Sequence, residues 1–366
     1  MRRHRPPHGS PDGAPDDTPG DSPGGKREAR AMTASREHEN EPTSFSAPPC
    51  LIAGSASRHL AQRIAELGGF AQVGVELTRF PDTEMHVRLV ESVRGHDAFI
   101  IQSTCAPVNE HLVELLILID TLSRASAGRI TAIIPYYGYA RQDRKSTGRE
   151  PITAKLVANL ISAAGANRVL AIDLHSPAIQ GFFDIGMDHP TAIPLLANAL
   201  RGKIPPDSVI VSPDTGGVKR ADFFASQLQL PIAILHKRRA DGDNVKIAAV
   251  IGDVRDRTPI IVDDIIATGG TLLEAVETLL RAGARSDVRV AATHGVFAGN
   301  AAQRLAHPAI KQIVVTDSIE TPAGLCEALP TLEVVSIAQL LGDAIYRLHN
   351  GLSLSALFNV NGIPPI

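Results

Sequence analysis

From residue 51 onward the sequence sets short, unbroken runs of branched apolar residues between stretches whose apolar positions recur every third or fourth residue. The runs fall at 51–54, 98–103, 130–135, 169–173, 208–212, 232–235, 259–262, 288–292, 313–315 and 333–335, and the clearest helical stretches at 110–124, 153–164 and 271–282. Ile- and Val-rich runs with no polar alternation are strands buried on both faces, and helices between them are the crossovers that parallel strands need. The pattern therefore predicts an α/β protein with two doubly wound, mainly parallel-sheet domains, drawn at 50–190 and 191–366.

The alternation does not reach the N-terminus. Residues 1–49 contain no Ile, Leu or Val and hold nine of the 26 prolines, so they cannot bury enough apolar surface to offset the entropy of ordering. A disordered tail is expected there, and 317 residues remain to fold. Arg2, Arg3 and Arg5 are not followed by the apolar stretch of a targeting peptide. With Lys+Arg 36 against Asp+Glu 39, no general basic field exists to gather nucleic acid or an anionic membrane, and any polyanion site must be local. Cys50, Cys105 and Cys326 are odd in number, far apart and in no C-x-x-C pair, which argues against a disulfide framework or a thiolate metal site and for a reducing, cytoplasmic location. No apolar run approaches the ~18 residues that a membrane-spanning helix needs.

In open parallel sheets, ligands bind beyond the carboxyl ends of the strands, so the polar residues just after each apolar run are where chemistry is expected. The strongest such place is VDDIIATGGT at 262–271. Thr268, Gly269, Gly270 and Thr271 offer backbone N–H groups, hydroxyls and a helix N-terminus to a phosphate. The adjacent carboxylates of Asp263 and Asp264 would repel that phosphate; they suit the vicinal hydroxyls of a ribose, or a metal, beside it. His175 ends the run LAIDLH and Asp214 the run VIVSPD, while HKRR at 236–239 sets three consecutive cations after PIAIL. Read on residue types alone, His175 is a structural strand-end histidine and HKRR a solvated face. In the same way YARQDRKSTGRE at 139–150 reads as a solvated loop, and RFPDTE at 79–84 as a loop around a buried Phe.

VDDIIATGGT resembles the phosphoribosyl diphosphate binding motif shared by type I phosphoribosyltransferases and phosphoribosyl diphosphate synthetases. The remainder separates the two groups. IIQSTCAPVNEHLVELLILIDTLSRASAGRITAIIPYYGYARQDRK and REPITAKL, then RVLAIDLH, IQGFFDI, VSPDTGG, HKRR and GDAIYRLHNGLSLSALF, are closely similar to class I phosphoribosyl diphosphate synthetases, also called ribose-phosphate diphosphokinases. The likeness runs in family order from about residue 50 to about residue 358.

The resemblance implies transfer of the diphosphate of MgATP to the anomeric hydroxyl of ribose 5-phosphate, with release of AMP. It implies that Phe80, Asp82, Thr83 and Glu84 contact ATP from a neighbouring subunit, that Arg141 and Gln142 contact ATP from a mobile lid, and that His175 and Asp214 coordinate Mg2+. Thr215, Gly216 and Gly217 match the diphosphate loop, and Lys237 and Arg239 the catalytic basic pair, Arg239 also near the sugar phosphate. Asp263, Asp264, Ala267, Thr268, Gly269, Gly270 and Thr271 match the ribose 5-phosphate site. A homo-oligomer, by family habit a hexamer, is implied, with no nucleic-acid or membrane partner.

Three positions depart from the family pattern: Thr83 where Gly is usual, Thr215 where His or a small residue is usual, and Ala267 where Asp is usual. An Ala at that place is familiar in purine phosphoribosyltransferases, which keeps such a transferase open as an alternative. A non-catalytic regulatory homologue is the other, set against the retention of His175, Asp214, Lys237 and Arg239.

Overall fold

A computed structural model describes residues 45, 47–239 and 245–358, excluding the side chains at 237–239, 245–248, 356 and 358. Each of the ten apolar runs is a strand. In the first sheet β1 (Cys50–Ala53) lies between β2 (Ala71–Val73) and β5 (Asp97–Ile101). Beyond β5 come β6 (Arg129–Ile134), β7 (Arg168–Ala171) and β8 (Gly186–Asp188), every pair parallel. The strands β3 (Val75–Arg79) and β4 (Met85–Leu89) form a separate antiparallel hairpin.

Burial on both faces explains the unbroken runs of β5 and β6, as the alternation rule requires. Leu115, Leu118, Ile119 and Leu122 of α2 (Val108–Arg124) cover one face together with Val157 and Ile161 of α3 (Thr153–Ala164). Leu60, Ala61 and Ile64 of α1 (Arg58–Gly68) cover the other.

The second sheet contains β9 (Ser208–Ser212), β10 (Ile232–Arg239), β11 (Val245–Ile251), β12 (Thr258–Ile266), β13 (Val288–Gly295), β14 (Ile310–Thr316) and β15 (Leu332–Val335), in the order β11-β10-β9-β12-β13-β14-β15. Only the β10–β11 edge pair is antiparallel. The helices α4 (Ile193–Leu200) and α5 (Val218–Leu228) pack on one face around Phe224, and α6 (Gly270–Arg281), α7 (Ala301–Leu305) and α8 (Leu325–Ala328) on the other.

The chain then crosses back. Leu341, Ala344, Ile345 and Leu348 of α9 (Ala338–His349) pack with α1 over the first sheet, and α10 (Ser355–Phe358) lies against α9. Asp97, fully buried at the start of β5, fixes this return: it accepts from Arg129 at 2.8 and 2.5 Å and contacts His349 Nδ1 at 2.9 Å. Arg129 also donates to the Leu348 carbonyl at 2.8 Å. Phe45, within the segment read as tail, stacks on His349 and lies under the Arg129 guanidinium, so packed structure starts before residue 50.

Candidate active site

His175 and Asp264 come from different sheets and meet. The strand β7 ends at Ala171, and the chain turns through Asp173 at φ 39°, in the left-handed region. Asp173 Oδ2 accepts from the Ala192 amide at 2.9 Å and from Thr293 Oγ1 at 2.6 Å, while the Leu174 amide donates to His189 Nε2 at 2.6 Å. This buried lattice delivers His175 to the second sheet, where its Nδ1 lies 2.7 Å from Asp264 Oδ2. The hydrogen bond to Asp264 raises the His175 pKa above its ordinary value. Burial alone would raise Asp264, but His175 and Arg220 outweigh it and hold this carboxyl below the usual carboxylate range.

The acids are not beyond their strand, as the sequence pattern suggests, but within it: β12 runs on to Ile266. Asp263 Oδ1 accepts from the Asp264 amide at 2.9 Å, and burial beside a second carboxylate raises the Asp263 pKa well above its ordinary value. Arg220 Nη1 lies 3.4 Å from Asp263 Oδ1 and 3.2 Å from Asp264 Oδ1. The sequence reading missed Arg220. Its only local signal is its place three residues after Gly217, in the first turn of α5.

Two glycine-bearing turns open helices beside this cluster. After β12, Gly269 stands at φ 74° and caps α6, a conformation that favours glycine. The turn is held from behind: the Ala298 amide donates to Ala267 O at 2.9 Å, and Arg304 Nη1 to Thr268 O at 2.9 Å. Thr268 and Thr271 are exposed, at the open end of α6. After β9, the Gly217 amide donates to Asp214 Oδ1 at 2.9 Å, and Thr215 and Gly216 are exposed before α5. Nothing in the structure explains threonine at 215.

Arg141, His175 and Asp264 line one narrow cavity with Tyr136, Ile265 and His294; it holds about 10 Å³. Tyr136 and Arg141 also line a wider cleft of about 410 Å³ with Asn109, Glu110, Tyr139 and Gln142. Gln142 is fixed at the start of α3, accepting from Thr153 Oγ1 at 2.6 Å and, through its carbonyl, from the Ala154 amide at 3.2 Å.

Arg79 Nη2 lies 2.5 Å from Glu110 Oε2, which ties the turn end of the β3–β4 hairpin to the rim of that cleft. At the tip, Phe80 is not buried, as its residue type suggests, but 51% exposed, edge-on to His86. The Thr83 amide donates to Phe80 O at 2.9 Å and the Glu84 amide to Asp82 Oδ1 at 3.1 Å, so the polar contacts of the tip lie within the hairpin.

Lys237 and Arg239 occupy β10, their side chains outside the described residues. The last β10–β9 pair is Ile234 with Ser212, two residues before Asp214, and β10 continues past it to Arg239. A bulge falls between His236 and Lys237, and the register is then continuous from Lys237 to Arg239.

His175 and Asp214 each carry a donor suited to a divalent ion. With Nδ1 committed to Asp264, His175 Nε2 has no hydrogen-bond partner among the described residues and is oriented in the manner of carboxylate-held metal-binding imidazoles. Asp214 is half-buried and keeps a carboxylate oxygen beyond its bond to Gly217. Among the described residues no group of three His, Cys, Asp or Glu side chains forms a metal cage. Two protein donors suit Mg2+, which usually completes its shell with water and substrate phosphate.

Known proteins resemble this chain over nearly all of the described residues. Residues 49–165 match the family described as the N-terminal domain of ribose phosphate pyrophosphokinase, and residues 243–359 that described as the phosphoribosyl synthetase-associated domain. The ribose-phosphate pyrophosphokinase of Gloeobacter violaceus is 50% identical over 309 residues, covering 84% of this chain and 92% of that one. That of Bacillus subtilis is 47% identical over 305 residues, covering 83% and 95%. A solved phosphoribosylpyrophosphate synthetase from Mycobacterium smegmatis superposes with a TM-score of 0.78 at 44% identity, over 83% of this chain and all of that one.

Proposed function

The chain belongs to the ribose-phosphate pyrophosphokinase family, and from that membership we propose how its own residues divide the work. The reaction is transfer of the diphosphate of ATP to the anomeric hydroxyl of ribose 5-phosphate, giving 5-phosphoribosyl 1-diphosphate and AMP. The observation that carries the assignment of residues is the meeting of His175 and Asp264 in a cavity also lined by Arg141. Residues suited to metal, ribose and nucleotide thereby share one place.

Asp263 and Asp264 accept from the ribose hydroxyls, and the backbone of 267–271 with the open end of α6 holds the 5-phosphate. Because Ala267 brings no carboxylate, that loop acts through N–H groups and the Thr268 and Thr271 hydroxyls. Arg141 and Gln142 hold ATP in the 410 Å³ cleft, and Thr215, Gly216 and Gly217 receive the diphosphate. Phe80, Asp82, Thr83 and Glu84, exposed on their hairpin, complete an ATP site from a neighbouring copy in a homo-oligomer, a hexamer by family habit. Magnesium would be held by His175 and Asp214, where it supplies positive charge to the phosphate oxygens.

In the transfer, a lone pair of the anomeric oxygen forms the new bond to the β-phosphorus. The bond from that phosphorus to the oxygen bridging the α-phosphate breaks in line, AMP leaves with the electron pair, and the proton of the anomeric hydroxyl passes to the departing AMP phosphate. Lys237 and Arg239 neutralise the charge that builds on the equatorial oxygens, from the part of β10 that runs beyond β9. Segment 139–150 closes as a lid and excludes the water that competes with the sugar hydroxyl. The working halves are 50–190 and 191–366, the second lending α9 to cover the first sheet, and the location is cytoplasmic, in keeping with three cysteines that form no disulfide.

The test is direct. Incubated with ribose 5-phosphate, Mg2+, inorganic phosphate and γ-labelled ATP, the protein releases AMP and carries the label into phosphoribosyl diphosphate; no AMP overturns the assignment. Lys237→Ala lowers kcat far more than it raises KM, and a KM defect with kcat intact reassigns Lys237 to ground-state binding.

A further inference from the structure

Asp263 and Asp264 pose an electrostatic problem that the substrates cannot solve. Two adjacent carboxylates, one 3% exposed, repel each other and also repel the sugar phosphate that they must sit beside. Something in the protein has to keep both oriented before substrate arrives. His175 serves only Asp264, through Oδ2. Arg220 serves both, with Nη1 at 3.4 and 3.2 Å from their Oδ1 atoms, and its side chain is only 17% exposed.

The place of Arg220 in the fold is unfavourable by local rules. It lies in the first turn of α5, where the helix dipole disfavours a cation. It also lies against the turn before that helix. A Cβ built on Gly217 would meet Arg220 Nη1 at 3.7 Å and Ser212 Oγ at 3.0 Å, while the Gly217 amide donates to Asp214. The guanidinium is therefore wedged between the 215–217 turn and the acid pair.

We propose that Arg220 is a positioning residue for ribose 5-phosphate: its guanidinium, spanning Asp263 and Asp264 from beneath the 215–217 turn, sets both carboxylates to receive the sugar hydroxyls. It acts through the acids and touches no reacting atom. The inference rests on the placement of ribose at Asp263 and Asp264. It goes further by naming the group that makes such a pair usable, and by linking the ribose acids to the turn assigned to diphosphate.

The experiment measures KM for each substrate and kcat, from AMP release, in the full-length protein, its Arg220→Met variant and its Arg220→Lys variant. Loss of a charged hydrogen-bonding partner from a buried acid pair raises KM for ribose 5-phosphate by about tenfold or more in Arg220→Met. KM for ATP changes by less than about twofold, because the 410 Å³ cleft is lined by other residues. Arg220→Lys recovers part of the affinity for ribose 5-phosphate. Equal rises in both KM values, a fall in kcat with both KM values unchanged, or a Lys variant as defective as Met, each overturns the proposal. If Arg220→Met does not fold, Arg220→Gln is read by the same criteria. Absence of AMP from the unaltered protein is a different result: it overturns the ribose assignment itself.

Discussion

Thr83 shows what a single residue can conceal. The sequence marks it as a departure from a family glycine, and the structure supplies the reason glycine is usual: the backbone there stands at φ 78°. A β-branched side chain in that region carries roughly 1–2 kcal/mol of strain. Thr83→Gly is therefore expected to relieve that strain at the hairpin tip, offset by the greater freedom of glycine in the unfolded chain, for a net gain of about 0.5–1 kcal/mol. A denaturant titration comparing the two proteins measures it, and a loss of stability refutes the strain. The same scale shows where sequence reading ends. Asp263, Asp264 and the 268–271 turn announce themselves because strand, acids and glycines are consecutive. Arg220 does not, since its partners lie 43 and 44 residues away and nothing local in VKRADFF sets it apart from a solvated helix face.

Among elements, legibility followed burial. Strands such as β5 and β6 are covered on both faces and are written as continuous apolar runs. The missed strands β3 and β4 are covered on one side at most, with half-buried and exposed positions mixed, so no unbroken run marks them. The missed β2 and β8 are three-residue edge strands, and β11 is the antiparallel edge of its sheet. The turn from β12 into α6 allows a sharp test. A methyl on Gly269 would enter at φ 74° with Leu305 Cγ only 3.3 Å away. Gly269→Ala is expected to disturb the open end of α6 by about 1–2 kcal/mol, seen as a several-fold higher KM for ribose 5-phosphate and little change in KM for ATP. Unchanged KM values would detach this turn from the sugar phosphate.

For the whole molecule, the junction of the two sheets is built on neutral histidines. His294 is buried, its Nε2 3.2 Å from the Asp173 carbonyl and its Nδ1 2.8 Å from Ser318 Oγ, and burial lowers its pKa. Burial also lowers that of His189, which accepts from the Leu174 amide. The unfolded chain binds protons at these sites below about pH 6.5, while the folded protein resists them, so their contribution is complete above that pH and is lost as pH falls toward the lowered folded values. Thermal melts between pH 7.5 and 5.5 should show melting temperature falling with pH less steeply in His294→Gln than in the unaltered protein. Parallel slopes would remove His294 as a source of acid sensitivity.

The return of α9 to the first sheet bears on the order in which the protein can form during its own synthesis. Residues 338–349 follow every described strand in the chain, yet Leu341, Ile345 and Leu348 cover a face that includes Leu51, Phe99 and Ile133. A nascent chain that has already produced every described strand has that face covered by α1 but not yet by α9, so the first sheet is completed only after the second has all its described strands. A stop codon just before residue 338 would therefore damage the first sheet: the second would retain its seven strands, and the first would be left with a hydrophobic face that α1 alone cannot cover.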